Sequence, residues 1–525
     1  MTPDLPADVP VEPPQTTITL AAAQAPAQVI RVDSYGYHYE VIGNTLLDPE
    51  VIRTVLQDSV DPKAAFANLN QAYQKAGYFL VALRGNLDEK TFTIQVTEGR
   101  ITAMDIPPNL QPYFSGLEER DDLTRSQVVR RAALAELYSA RQVMRPKLKF
   151  EPAQEVGGSQ ITVTEEPIEG ANPWPWSAGL NFGNYGNRYS SRFLVQGNAA
   201  LRIGNGIELT GGYTHGLPNL NSDSEGSSYN AGIVGGSIVT PWGIYGASYN
   251  RVDYQLGKIS EPLNTAGNYR TWNVYGSQLL HADEVWRWGL NEGYTHTDYS
   301  NIVFETIPLS DQNYNFVNLG TSFSRLVQPY ELKGNLSGSL NYSRGISGTI
   351  KIVGQEYKYT SETRLVPDTD FNLFNWNVGY TQNLPASLVA GVSLTGQDTN
   401  TTLPLNQQWV LGGYGNLTAW FPGVVAGDKG MLGRASLSRN WEWGPVTLTP
   451  SVFLEAGYSK LDFVPSRFQG TQFLSDVGIG LAANLKSGTS LTMGSAAPLG
   501  TRGTERYQTN DNRAYFYFNL NQSLP

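Results

Sequence analysis

The chain has 525 residues, no cysteine, a formal net charge of -10 and only 16% charged residues, but 54 glycines, 29 tyrosines and 11 tryptophans. No apolar run approaches the length of a membrane-spanning helix, which excludes a helical membrane protein, and the acidic balance argues against a nucleic-acid partner. This composition is typical of a transmembrane β-barrel, in which only every second side chain of a strand faces lipid.

Residues 1–30 are rich in proline and lack the basic start and apolar core of a signal peptide. The segment is therefore not an intact signal peptide. We interpret it as a disordered leader that remains after signal removal, or as the product of a displaced start codon.

Two small α+β modules are predicted next. In the first, residues 31–104, one strand precedes two helices and two strands follow them. Asp48 is the expected N-cap of the first helix, with Pro49 as its first residue, and Gly77 ends the second helix. The same order recurs more loosely from about residue 101, with Thr124 and Gln127 as a capping box. We draw the boundary at 104/105, so that the second module covers residues 105–168.

The two modules are candidates for binding an extended client chain. Tandem modules with open sheet edges suit the binding of an extended peptide by strand addition. The strand after Gly77 is the one most able to offer such an edge. Its candidate client-binding residues are Tyr78, Leu80 and Ala82. Inert spacer modules are the alternative interpretation.

From residue 173 to residue 525 the hydrophobic period is two almost throughout. One example is the run in which Phe374, Trp376, Val378 and Tyr380 alternate with Asn375 and Asn377. At about 22 residues per strand with its connection, this segment holds on the order of sixteen strands. A large soluble β-sandwich is the competing interpretation, but its open edges would face water, whereas a barrel closed in a membrane pairs every backbone group.

A glycine-rich loop, LGGYGNLTAWFPGVVAGDKG at residues 411–430, interrupts the alternating pattern. A loop of this length is usually functional or disordered, and its aromatic and aliphatic side chains are too apolar to be left in water. We therefore predict that it folds into the barrel lumen, with a long surface hairpin as the alternative. Its candidate functional residues are Leu411, Gly412, Gly413, Tyr414, Gly415, Thr418, Ala419, Trp420, Gly427, Asp428 and Gly430.

The two strands that follow the loop can be phased by their alternation. Val452 and Leu454 share the outer face of one strand, which turns the residues between and after them toward the lumen. The predicted wall that faces the loop consists of Phe453, Glu455, Gly457, Asp476 and Gly478. Two acids on a sheltered wall need hydrogen-bond or cationic partners.

Several stretches together resemble the outer-membrane transporters of two-partner secretion, the haemolysin secretion/activation (ShlB/FhaC/HecB, or TpsB) family of the BamA/TpsB superfamily. These stretches are VTEGRI at the end of the first module, NFGNYGNRYSSRF at the barrel start, the loop itself, FLEAG and SDVGIGL. The resemblance implies two periplasmic POTRA domains, a sixteen-stranded barrel in the outer membrane of a Gram-negative bacterium and a sixth loop in the lumen. It also implies a monomeric transporter that captures an unfolded, large, β-helical exoprotein through its POTRA domains and exports it.

The chain departs from this family at the centre of the loop. The family carries Arg-Gly-Tyr or Arg-Gly-Phe there, with the arginine paired to a wall acid, whereas residues 418–420 read Thr-Ala-Trp. The expected contact to Glu455 is therefore a neutral hydrogen bond from Thr418, or another cation such as Lys429 or Arg434 replaces the arginine. The family's plug helix is not evident in the leader, and the chain does not end on an aromatic residue.

Catalysis has little support in the sequence. The histidines, His38, His215, His281 and His296, include no pair at metal-ligand spacing, and no nucleophile-elbow motif is present. We therefore predict no enzyme activity, no cofactor and no metal, and interpret the chain as a polypeptide-translocating barrel. A passive porin with periplasmic modules and an assembly factor for other barrels are the alternatives.

Overall fold

The computed structural model describes residues 29–155, 157–257, 263–283, 285–304, 306–329, 332–353, 355–357, 367–461, 470–503 and 512–524. They form two small sheet modules and one closed barrel. Apart from its last two positions, the leader predicted over residues 1–30 lies outside the described residues. None of the helices in these ranges combines the length and hydropathy that crossing a membrane requires.

The first module is a four-stranded sheet packed against two helices. Its elements are β1 (Ile30–Ser34), β2 (Tyr37–Ile42), α1 (Pro49–Gln57), α2 (Pro62–Lys75), β3 (Val81–Asp88) and β4 (Thr91–Glu98), in the strand order β1-β2-β4-β3. The predicted helix cap is confirmed, because the Asp48 carboxylate accepts a hydrogen bond from the Glu50 amide at 2.9 Å. β1 is not among the predicted elements, although its buried Ile30 and Val32 alternate with the exposed Arg31 and Asp33.

The second module is a three-stranded sheet with its own helical layer. Its elements are β5 (Arg100–Asp105), α3 (Gln111–Phe114), α4 (Arg125–Ala140), β6 (Met144–Pro152) and β7 (Gly158–Pro167), in the order β5-β7-β6. The boundary predicted at 104/105 is wrong, because β5 runs parallel to β7 and belongs to the second sheet. Ile101 explains this placement, since it is fully buried in the hydrophobic core of the second module.

The remaining strands build the barrel and the lumen loop. In chain order they are β8 (Trp176–Gly183), β9 (Leu194–Gly204), β10 (Ile207–Gly216), β11 (Ser228–Thr240), β12 (Gly243–Gln255), β13 (Ala266–Ala282), β14 (Trp286–Val303), β15 (Ile307–Val327), β16 (Gly334–Ile352), β17 (Gln355–Tyr357), β18 (Asn372–Leu384), β19 (Leu388–Thr399), β20 (Trp409–Leu411), β21 (Val425–Gly427), β22 (Lys429–Arg439), β23 (Trp441–Trp443), β24 (Val446–Leu461), β25 (Gly470–Leu485), β26 (Thr489–Arg502) and β27 (Tyr517–Leu524).

Sixteen of these strands form the antiparallel wall of the barrel, which confirms the predicted number. The short β17 and β23 extend neighbouring hairpins, and β20 pairs only with β21, apart from the barrel sheet. The barrel closes where β27 pairs with β8, from Asn519 opposite Gly183 to Leu524 opposite Ala178. All barrel strands are therefore paired on both sides, as a lipid environment requires.

The two faces of the barrel wall differ as the alternation predicts. On β24, Val452 and Leu454 are 52% and 47% exposed on the outer face, whereas Phe453 and Glu455 are buried on the inner face. On β25, Ile479 is 64% exposed on the outside. The outer wall is thus an apolar, lipid-facing surface, and the inner wall carries the polar groups.

The second module packs against the barrel at the hairpin of β11 and β12. The hydroxyl of Tyr113 donates to the carbonyl of Val239 at 2.9 Å. Val239 and Ile244, at the turn between β11 and β12, are part of the hydrophobic core of the module. The module and the barrel therefore share a continuous apolar contact.

Candidate functional site

The glycine-rich loop lies inside the barrel, which confirms its predicted placement. The chain enters the lumen after β19, forms β20, reverses over residues 412–424 and returns as β21, with Leu411 paired to Val425. Leu417 and Trp420 are fully buried in one cluster with Leu474 of the β25 wall. We call residues 412–424 the loop tip. The tip packs on the inner wall and does not project from the barrel.

Two glycines make the reversal of the tip possible. Gly412 and Gly413 have φ angles of 106° and 110°, and a Cβ on Gly412 would lie 2.1 Å from the carbonyl oxygen of Phe421. The Gly412 amide donates to the Asn416 carbonyl at 2.8 Å, and the Gly413 amide donates to the Trp420 carbonyl at 2.9 Å. The tip is therefore a compact turn with its own backbone hydrogen bonds.

Two carboxylates of the wall accept backbone amides of the tip. Oε2 of Glu455 accepts from the Thr418 amide at 2.7 Å, and Oδ2 of Asp476 accepts from the Ala419 amide at 2.7 Å. Both acids are fully buried, and they stand opposite each other on β24 and β25. Both bonds are short and shielded from water, so together they fix the tip to the wall.

The cation of the site is Arg434, on the neighbouring strand β22. Its Nη1 lies 2.6 Å from Oε1 of Glu455, which is its registered partner on β24. Its guanidinium carbon also lies 4.4 Å from the ring centre of Phe453, a cation–π contact. The Phe453 ring covers Gly478, where a Cβ would lie 2.3 Å from Cζ of the ring. The wall therefore supplies the arginine that the family carries in its loop.

The other partners considered for Glu455 make different contacts. Nζ of Lys429 lies 3.1 Å from Oδ1 of Asp398. The Thr418 hydroxyl accepts from the Gly415 amide at 3.1 Å, so the expected side-chain bond to Glu455 is replaced by one from the Thr418 backbone. The residue type at position 418 does not predict that bond, because every residue except proline has a backbone N–H.

Three glycines of the predicted site leave room for the loop to approach the wall. A Cβ at any of them would lie within 3.4 Å of a neighbouring side-chain atom. The neighbours are Leu411 for Gly457, Ser459 for Gly427 and Trp409 for Gly430. Their lack of a side chain thus has a packing reason.

The base of the loop is held by a second set of bonds. The Asp428 carboxylate accepts from the Leu403 amide at 2.9 Å, and the Gln397 side chain donates to the carbonyls of Gln407 and Asp428 at 2.9 and 3.0 Å. We call these four residues the loop root. Asp428 belongs to the predicted site, whereas Gln397, Leu403 and Gln407 do not. These three residues form no sequence motif that would have identified them as part of the site.

The chain segment before β27 and the first residue of that strand cover the opposite side of the tip. The Ala514 amide donates to the Ala419 carbonyl at 2.8 Å. The Tyr517 hydroxyl donates to the Trp420 carbonyl at 2.7 Å. Sequence reasoning missed this cover, because backbone pairing between distant segments leaves no periodic signal. The tip is therefore bonded on both sides.

The candidate client-binding residues of the first module lie in a protected position. Leu80 and Ala82 are 4% and 7% exposed and pack in the core of the second module, and Tyr78 forms a β-bridge with Thr124. β3 is an edge strand of its sheet. The second half of β3 is exposed, and Leu87 in that half is 51% exposed. The accessible edge thus lies further along β3 than the predicted residues.

Comparison with known proteins agrees with this geometry. The family model "Haemolysin secretion/activation protein ShlB/FhaC/HecB" matches residues 157–483. The heme/hemopexin transporter protein HuxB of Haemophilus influenzae is 23% identical over 344 residues, which cover 62% of this chain and 56% of HuxB. CdiB from Escherichia coli has a TM-score of 0.74 at 17% identity over 97% of this chain and 94% of CdiB. CdiB from Acinetobacter baumannii has a TM-score of 0.67 at 14% identity, over 96% and 91% of the two chains.

The closed barrel with its occupied lumen defines an outer-membrane β-barrel of a Gram-negative bacterium. The chain belongs to the haemolysin secretion/activation family, because the family model matches more than half of it. This membership confirms the resemblance found in the sequence. The chain matches HuxB over 56% of the length of that relative.

Proposed function

We propose that this chain is not an enzyme and exports a partner exoprotein through the barrel lumen after the loop tip leaves the wall. The supporting observation is that the tip binds Glu455 and Asp476 only through backbone amides, whereas the ion pair of Glu455 with Arg434 lies wholly in the wall. Release of the tip breaks these two bonds and separates no ion pair. A hydrogen bond to a charged group contributes about 1.5–3 kcal/mol, which a binding client can offset.

The client is proposed to be a large, secreted β-helical protein, and the transporter is proposed to act as a monomer. HuxB is a heme/hemopexin transporter, so an exoprotein that handles heme or hemopexin is the first client to test. A passive porin fits less well, because the tip and the segment around Ala514 occupy part of the lumen.

The test of this proposal removes the tip and keeps the root. Leu411 and Val425 are the last paired residues of β20 and β21, so Asn-Gly in place of residues 412–424 closes them as a two-residue hairpin. We expect a folded barrel, a larger steady conductance in planar bilayers and loss of exoprotein export from cells. A variant that conducts like the parent and still exports would contradict the proposal.

We further propose that the two modules are POTRA domains that capture the unfolded client by strand addition at the free edge of β3. The Leu80 carbonyl accepts from the Gly99 amide at 2.6 Å, so Leu80 faces β4. Because hydrogen-bonding direction alternates along a strand, the peptide groups of Leu83, Gly85 and Leu87 face away from β4. These groups are available to a client strand.

A substitution at Leu87 tests this capture. Leu87→Pro removes one outward amide, whereas the control Leu87→Thr keeps the amide and removes the large side chain. We expect client binding to weaken about three- to tenfold in the proline variant, the equivalent of one neutral hydrogen bond, and to stay unchanged in the control. Calorimetric titration with the unfolded exoprotein measures this. Equal affinity of the two variants for the client would show that β3 does not take part in capture.

A further inference from the structure

A cavity of about 620 Å³ separates the loop tip from the strands that close the barrel. Strands β8, β9, β26 and β27 line one side, and the tip lines the other. The main lining residues are Asn181, Tyr185, Gln196, Tyr414, Asn416 and Tyr517. We call this space the loop cavity. It is the space inside the barrel that remains between the tip and these strands while the tip is bound.

The lining of the loop cavity combines aromatic rings and side-chain amides with two glycines, a proline and a threonine, and its described residues include no charged side chain. A side-chain amide offers both donors and acceptors, and a tyrosine ring combines apolar area with a polar end. Two lining amides, Asn416 and Asn519, have a buried side-chain oxygen without a hydrogen-bond partner in the described part of the chain. Because both oxygens are buried, a peptide N–H in the cavity can reach them only after these side chains turn.

The opposite wall offers a different environment. A pocket of about 210 Å³ there is lined by Ser337, Ser393 and Arg434, among other residues. Arg434 is the cation of the tip site and already pairs with Glu455. The opposite pocket has about a third of the volume of the loop cavity. A chain passing through the opposite pocket would also meet the charge of Arg434, whereas the described lining of the loop cavity is neutral.

We propose that the loop cavity is the track along which the exported polypeptide passes in extended form, an inference that rests on the export function proposed above. An extended chain presents peptide groups about every 3.3 Å whatever its sequence, and neutral amides bind them without selecting side-chain charge. The volume of the cavity falls within the range of about 300–1,000 Å³ that is usual for ligand sites. Tyr414 borders the track on the tip, 6.0 Å from the Tyr517 ring, so release of the tip widens it.

Single-cysteine variants locate the track without background, because the chain has no cysteine. Gln196→Cys and Thr492→Cys mark the loop cavity, and Ser337→Cys and Ser393→Cys mark the opposite pocket as matched controls. The probe is an unstructured synthetic peptide of Gly, Ser, Asn, Thr and Val with one thiopyridyl-activated cysteine. We expect about tenfold more disulfide adduct at the loop cavity, because a bound peptide reacts by proximity.

Two outcomes separate failure of the track from failure of the export function. Equal adduct at both pairs of positions, or more at the opposite pocket, in barrels that still export the exoprotein overturns the track alone. A parent chain that exports no exoprotein from cells overturns the proposed function, and the peptide adducts then report only which part of the lumen binds extended chain. Heat-modified mobility on gels verifies that each variant is folded.

Discussion

Arg434 occupies a wall position that balances the charge of Glu455 whether or not the loop tip is bound. The family arrangement places its arginine on the loop, so release of the loop there would separate two charges. In this chain the tip contributes backbone amides, and the ion pair stays between β22 and β24. At the scale of single residues, attachment of the tip and charge balance are therefore separate functions.

Substitution of Arg434 tests this separation. Arg434→Met leaves the fully buried Glu455 without its cation, which we expect to cost about 3–5 kcal/mol of barrel stability. Glu455→Gln in the same chain removes the stranded charge and recovers most of that loss. Thermal unfolding followed by heat-modified gel mobility gives the double-mutant cycle, and purely additive effects would show that the two side chains are not coupled.

Relocation of the arginine is the complementary test. Thr418→Arg alone is expected to destabilise the tip, because Thr418 is fully buried and its hydroxyl accepts from Gly415. Combined with Arg434→Thr, the same substitution rebuilds the family arrangement, and we expect partial recovery of stability with slower channel flicker. Recovery no better than Thr418→Arg alone would mean that this tip cannot hold an arginine against Glu455.

At the scale of elements, the loop is attached at two separate places. The tip is bound to β24 and β25, whereas the root joins β19 to the chain on both sides of the β20 and β21 ribbon. Leu403 is also buried against Tyr314 and Phe371 of the inner wall. The bonds of the root do not depend on those of the tip, so the tip release proposed above breaks none of them.

A nearly isosteric substitution at the root tests this division. Gln397→Glu removes both donors and places a carboxylate against the carbonyls of Gln407 and Asp428, a loss of about 2–4 kcal/mol for two buried bonds. We expect irregular, larger conductance steps and reduced export. Asn198→Asp on β9 is the control, because it adds the same charge to the inner wall far from the root. Matching behaviour of the two variants would assign the effect to charge and not to the root.

The sequence predicts those elements whose signal is local or periodic. The Asp48 cap, the strand count and the inward phase of Glu455 and Asp476 follow from such patterns. The boundary at 104/105 cuts β5 off from the second module, although the order of elements from residue 101 includes that strand, because its parallel pairing from Arg100 to Gly158 leaves no local trace. The bonds from the tip amides are likewise invisible, since they depend on the backbone path and not on residue type.

At the scale of the whole molecule, the second module is bonded directly to the barrel. Nη1 of Arg141, at the end of α4, donates to the carbonyls of Gly206 and Ser237 at 2.6 and 2.8 Å, and Nη2 donates to the Ser237 hydroxyl at 2.8 Å. Burial lowers the pKa of the Arg141 guanidinium, and these bonds offset the loss of water. Tyr138 packs on Gly206, where a Cβ would lie 2.6 Å from its ring.

This contact predicts that Arg141 fixes the orientation of the modules beneath the lumen. Arg141→Met keeps an apolar stem of similar length and removes the three hydrogen bonds that the guanidinium donates. We therefore expect the second module to move more freely against the barrel and export to fall. The conductance set by the loop should stay unchanged. Arg130→Met is the matched control on the same side of the module, because the bond that Arg130 donates to the Leu280 carbonyl of the barrel is long at 3.4 Å. Pulsed electron paramagnetic resonance between spin labels at Lys147 and Trp242 measures the separation. A distance distribution as narrow in Arg141→Met as in the parent would mean that the apolar contact alone holds the module.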